Sequence, residues 1–426
     1  MPSFSWQKAL RSLNLRELNA GVLLASFGSS QAMQLAFSTL RLPLIATSTG
    51  VEVLGAVFLW MNILTWAPVL SAGQINQVRI AQHSNQVKFG PSALAVSIRL
   101  FFLTIAVILI TWSFMDPNRV FEAGAGPTLV GLVAAATFSR SVGIIQGQGL
   151  MAKYFNWTAF GSLLSFVLTL FSILMPNWAG IGANFQVLVL TSISVIGACV
   201  PYVYAWVVGK RAGGTWVKTS WKYIFSSKAI YELGAVLPPA FITGFDALAL
   251  STVGKSSEIP EYGLVSRVGL LTTIIASALF VQLNNVAVRR ATISLSNALR
   301  DSLRLLILSL PFSVLFLFFA PYLVAFLSAN KVEASYGSIF AVFLVSLVLP
   351  FWIGMSATGM VSEKVRLETG RAIVFLVLPM SFCMTFLFSF LFGASGPFLA
   401  SLITYLVAIC IAGSLILRQA GQNAKA

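Results

Sequence analysis

Ser30, Gln34, Ser38 and Arg41 follow one another at steps of four, four and three residues. On a helix that spacing gathers them into a single polar stripe, which neither a lipid-facing nor a fully packed helix needs. Arg41, Arg99, Arg140 and Arg267 all lie in or beside long apolar runs. A charge in such a run is expensive and by default faces a cavity or a partner. Guanidinium groups grip phosphate and carboxylate through a two-pronged fork, so a series of them at different depths suits an anionic passenger. Arg140 falls nearest the middle of its run, too deep to reach either interface. Arg99 and Arg267 lie closer to the ends, where a snorkelling role is the alternative. Asp246 is the matching acid. With the two halves of the chain aligned on their outer ends it falls near the position of Arg41, to pair with it across a cavity or to carry a coupling proton or cation.

Gln74, Asn76, Gln282 and Asn284 sit near the inner ends of two runs, placed to close a gate by hydrogen bonds between halves or to act as solvated helix-end amides. Bond-making chemistry has little to work with. His83 is the only histidine, and Cys199, Cys383 and Cys410 have no partner at metal-ligand or redox spacing. They read as buried free thiols. No metal, no cofactor and no catalytic residues are expected, and the chain is read as a non-enzyme.

The elements that must position these groups follow from composition. Of 426 residues, 58% are hydrophobic and only 9% charged, with mean hydropathy +0.88. Soluble domains carry about 25% charged residues. Apolar runs of roughly 20 residues, each long enough to cross a bilayer core, recur throughout. Twelve spans are expected, over 20–45, 51–75, 92–115, 127–149, 155–175, 184–209, 230–253, 262–286, 303–328, 336–361, 371–393 and 396–418. Lys+Arg outnumber Asp+Glu by 27 to 12, a net +15. With a cytoplasmic N-terminus, only Arg119, Lys255 and Lys331 fall in outer loops. Three arginines lie within spans, and the other 21 cations face inward. That bias orients the chain with both termini inside and makes the positive charge a topology signal rather than a nucleic-acid surface. Trp60, Trp66, Trp112, Trp157 and Phe155 read as interfacial belt residues.

The chain also reads as a duplication. At an offset of 208 residues, Gly55 matches Gly263, and Gln74-Ile-Asn76-Gln-Val78 matches Gln282-Leu-Asn284-Asn-Val286. Residues 1–209 form a first six-helix lobe with a short interfacial N-terminal helix, 210–229 a basic cytoplasmic linker, and 230–426 a second six-helix lobe. Six spans per copy give both copies the same orientation, related by a pseudo-two-fold along the membrane normal. The expected fold is an all-α integral membrane protein of two lobes facing a cavity, an arrangement suited to alternating access. The lipid bilayer is the expected surrounding, and a monomer the expected state.

Twelve spans, the parallel repeat, the basic central segment and the endings of spans 2 and 8 resemble the multidrug/oligosaccharidyl-lipid/polysaccharide exporter superfamily. Within it, the stretches 17–99 and 230–301 are most similar to bacterial polysaccharide-unit (O-antigen and exopolysaccharide) flippases. The resemblance implies a V-shaped pair of lobes in the cytoplasmic membrane of a bacterium. It implies a flippase that moves an undecaprenyl-pyrophosphate-linked oligosaccharide from inner to outer leaflet. The cavity arginines would hold the pyrophosphate. H+ or Na+, carried by Asp246, is the candidate coupling ion, and glycan polymerase or assembly proteins are candidate partners. The alternative is a proton- or cation-coupled exporter of small amphipathic or cationic compounds. Drug-extruding relatives typically carry an acid in the first lobe, and the interior of spans 1–6 here has none.

Overall fold

The computed structural model describes residues 20–64, 123–147, 151–211, 231, 246–272 and 293–423. These residues are almost entirely helical. In the first half they form α1 (Ala20–Ser48), α2 (Val51–Leu64), α3 (Ala125–Gly147), α4 (Met151–Ile173) and α5 (Ala183–Arg211). In the second half they form α6 (246–252), α7 (259–272), α8 (Leu295–Leu327), α9 (Tyr336–Gly359), α10 (Glu363–Ala372), α11 (Leu378–Phe392) and α12 (Gly396–Asn423). Among the described residues, five stretches are long and apolar enough to cross a membrane. The last of them, Glu363–Gln422, is broken at Gly393–Ser395 into α11 and α12, which pack on each other, so it is long enough to cross twice. Every described helix except α10 overlaps an expected span; α8 begins eight residues ahead of its span, at Leu295, and α12 runs past the expected 418 to Asn423. The short α10 occupies the connection between α9 and the next expected span and leads straight into it. The expected span at 92–115, the N-terminal helix and most of the 210–229 linker lie outside the described residues.

Why the chain breaks where it does is legible locally. Ser335 and Ser362 stand just before α9 and α10, and their hydroxyls accept from the N–H groups of Ser338 (3.2 Å) and Val365 (3.3 Å). Each covers a first-turn donor that has no partner within its own helix. Pro379 opens α11 directly after a π-helical turn at Ile373–Val377. Proline lacks the N–H that the regular ladder needs there, and its ring crowds the preceding turn, so the helix widens.

Packing is helix on helix. In the first half α1 lies on α4, and α5 on α2, α3 and α4. In the second, α9 joins α8 to α12, and α11 packs on α12. Small residues set the closest approaches. A methyl added at Gly197 on α5 would fall 1.9 Å from Ser165 Oγ on α4, and one at Gly161 would fall 2.2 Å from the Gly197 carbonyl. Without a hydrophobic drive between helices in lipid, such close backbone contact is what holds them together. One core cluster runs through both halves, including Leu54, Phe58, Trp60, Leu248, Tyr262 and Phe316.

The glycines matched by the 208-residue offset both lie where the halves meet. A methyl on Gly55 of α2 would lie 3.2 Å from Pro260 of α7, and one on Gly263 of α7 would strike the Phe58 ring of α2 at 2.5 Å. Trp60 departs from the expected belt. It is 2% exposed, its ring lying against Gly124, because α2 is enclosed by the halves instead of facing lipid. Trp157, at 41% exposed, does face outward. Cys383 and Cys410 are exposed rather than buried, on outward faces of α11 and α12, while Cys199 is half-buried on α5.

Candidate functional site

Three of the four stripe residues on α1, Gln34, Ser38 and Arg41, line one cavity of about 330 Å³. Leu54, Val57, Phe58 and Met61 of α2 form its apolar side. Tyr154, Thr158, Ser162 and Ser165 descend α4 at helical spacing and, with Ser194, Cys199 and Tyr202 of α5, form the polar side. Arg267 reaches in from α7 of the second half. Ser30, the fourth stripe residue, instead donates its hydroxyl hydrogen to Asn156 on α4 and so pins α1 against that helix.

Arg41 is 7% exposed. It donates through one terminal nitrogen to the Leu190 carbonyl on α5, 2.7 Å away, while its Nε has no hydrogen-bond partner among the described residues. A buried donor left in that condition costs free energy until something accepts from it. The Gln34 Oε1 is buried and unpartnered in the same way. Among the described residues, the lining contains two arginines and no carboxylate. Low-dielectric walls concentrate that positive potential, an arrangement suited to a negatively charged group.

The hydroxyls of the α4 and α5 wall are oriented. Thr158 donates to the Tyr154 carbonyl (3.0 Å), Ser165 to Ile193 (3.1 Å) and Ser194 to Leu190 (2.7 Å). With their hydrogens turned to backbone, these groups offer oxygen lone pairs to the cavity.

Asp246 is not part of this lining. It is 1% exposed on α6, and its Oδ2 accepts from the Tyr262 hydroxyl at 2.6 Å. Tyr262 in turn stacks on Phe398, ring centroids 4.9 Å apart. No ion pair joins Arg41 to Asp246: the first bonds to the α5 backbone and the second to Tyr262. Arg267 occupies the second half's place in the cavity. The Arg140 side chain, Arg99 and the four amides Gln74, Asn76, Gln282 and Asn284 lie outside the described residues. Among the described residues, no cluster of His, Cys, Asp or Glu is suited to hold a metal.

The wall on α4 and α5 is what sequence reasoning missed. Its signal was present, since Tyr154, Thr158 and Ser162 recur every four residues. Hydroxyls in an apolar run are common enough to pass as packing, and only the cavity they share with Arg41 and Arg267 shows which way they face.

No family model matches the chain, and no curated protein matches it. Solved structures do. An outward-facing multidrug resistance MATE family transporter of the MOP superfamily superposes with TM-score 0.61 and 16% identity, covering 96% of this chain and 97% of that one. An inward-facing structure of such a transporter gives 0.60 and 16%, covering 95% and 99%. A MOP superfamily transporter from Pyrococcus furiosus, described as having a binding pocket of reverse polarity that suggests a different function, gives 0.60 and 14%, covering 95% of each chain. The chain therefore has the fold of the MATE transporters over nearly its whole length.

Proposed function

We propose that this chain is an alternating-access membrane transporter that exports small amphipathic compounds, and that its cavity selects anionic cargo. The observation that carries the charge preference is the pairing of Arg41 and Arg267 in a cavity lined, among the described residues, by no carboxylate. Support for the transport cycle comes from the same fold having been solved in both inward-facing and outward-facing forms. Small-molecule cargo is supported by neighbours described as multidrug resistance transporters. A reverse-polarity pocket in another neighbour is a precedent for a different charge preference on this fold. Asp246, sealed in the second half, is the proposed coupling carboxylate.

A second reading keeps the lipid-linked oligosaccharide as cargo. The acceptor wall on α4 and α5 favours it, because sugar hydroxyls would donate there while a diphosphate met the arginines. It rests on that wall and on the sequence resemblance, and the neighbours add no weight to it.

Thermal stabilisation of the purified protein separates these readings. A ligand that binds only the folded state raises stability by about 2.7 kcal/mol at 100 times its dissociation constant. A small anionic amphipathic dye is expected to stabilise the protein, and Arg41→Ala to abolish the effect. Stabilisation by a short polyprenyl pyrophosphate and not by the dye would transfer the conclusion to the second reading. Stabilisation by a cationic dye alone, dependent on Asp246, would overturn the anion preference.

A further inference from the structure

The halves touch beside the cavity-lining Ile45 and Leu54, and one of those contacts is made by an unusual cation. Lys331 is one of only three Lys or Arg residues expected in outer loops. Its Nζ donates to the Ala46 carbonyl in the last turn of α1, 2.5 Å away and 285 residues distant in sequence. A carbonyl in the last turn of a helix lacks an intrahelical partner. An ammonium there also meets the negative end of the helix dipole.

The loop that presents Lys331 is built for the task. Ala329 and Asn330 both hold left-handed backbone, φ 53° and 60°. That conformation is unfavourable for side-chain-bearing residues and persists only where neighbours enforce it. Enforcement is visible. The Asn330 N–H bonds back to the Ala325 carbonyl at 2.7 Å, closing a C-terminal cap on α8. The Ser328 hydroxyl donates to the Val332 carbonyl (3.2 Å) and accepts from the Val332 N–H (3.1 Å), and the Lys331 N–H bonds to the Ser328 carbonyl (3.1 Å). Beyond the loop, Glu261 accepts from the Ser335 N–H at 2.9 Å and from the Ser338 hydroxyl at 2.8 Å, tying the start of α9 to α7. The chain on both sides of Lys331 is thus fixed, and the lysine is aimed across the gap.

We propose that Lys331 is an outer latch: its bond to the last turn of α1 holds the halves shut at the end away from the C-terminus and must break when that end opens. The Gly55–Pro260 and Gly263–Phe58 contacts are the packing beneath it. This inference rests on the alternating-access reading, but its test uses no cargo.

The test is a distance distribution between spin labels at Thr47, exposed at the end of α1, and Glu333, exposed beside the latch. Cys199, Cys383 and Cys410 are first replaced by Ser. With Lys331 present, a short-distance population is expected to dominate. Lys331→Met removes a charged hydrogen bond and is expected to raise the ratio of long to short by about tenfold. Lys331→Arg, which keeps charge and donor, restores the short population. Should Lys331→Met fail to fold, Lys331→Gln against Lys331→Arg makes the same comparison. Identical distributions with and without the charged donor, or no short population in any variant, would overturn the latch. Anion selectivity in the cavity would survive either result.

Discussion

Arg41 and Asp246 fall at similar places in the two halves of the chain, yet their surroundings are opposite. Arg41 sits on the wall of a cavity, with one nitrogen tied to Leu190 and its Nε unpartnered among the described residues. Asp246 is sealed behind Tyr262, itself stacked on Phe398. The difference arises from side-chain volume. Around Arg41, α4 and α5 offer Ser162, Ser165, Ser194, Gly197 and Ala198, and small residues leave space. Around Asp246, aromatic rings fill it. In the proposed function this contrast assigns cargo to the cavity beside Arg41 and the coupling ion to Asp246, and Arg267 reaches from the second half into that cavity.

The largest way to break this contrast is Arg41→Ala. It deletes the buried cation, and binding of an anionic dye is expected to fall by roughly 10- to 100-fold, the scale of a lost charge-assisted hydrogen bond. Titration of dye fluorescence against purified protein measures it. Arg41→Lys should recover part of the loss, because it keeps charge without the fork.

Asp246→Asn should act on the other side only. Uptake driven by an imposed proton gradient in proteoliposomes is expected to drop at least tenfold, while dye affinity changes less than twofold. Loss of both together would show that the two halves are not divided in this way.

Gly197→Ala tests why the cavity exists. The added methyl would meet Ser165 Oγ at 1.9 Å, so α4 and α5 must separate. A cost of about 1–3 kcal/mol is expected, read as a lower unfolding temperature. Tyr262→Phe is the smallest change. It leaves the ring stacking intact and removes one hydrogen bond to Asp246. About 1 kcal/mol of stability is expected to go, together with a proton-gradient response altered less than by Asp246→Asn.

Much of this architecture was legible in the residues because hydropathy and chain length act locally. The end of α4 at Ile173 and the turn at Gly393–Ser395 lie within a few residues of the expected boundaries. The stripe of Gln34, Ser38 and Arg41 was legible for the same reason, since helical periodicity puts the three on one face whatever they meet. What they meet was not legible. Nothing in the sequence around Asp246 tells that Tyr262, 16 residues on, would take the bond that an opposed arginine was expected to make. Trp60 carries no local mark that separates a belt residue from a core one, because either site suits a large ring in an apolar run. Enclosure is a tertiary property, set by where α2 lies between the halves.

The central claim is that the cavity selects for negative charge, and Cys199 on its wall can report this directly. In a Cys383→Ser, Cys410→Ser protein, the rates at which anionic and cationic methanethiosulfonates modify Cys199 would be measured, each normalised to the same reagent's rate with a free thiol in solution. A normalised preference for the anionic reagent of about tenfold or more, collapsing in Arg41→Ala, is the predicted result. Equal rates, or faster modification by the cationic reagent with Arg41 in place, would contradict the account.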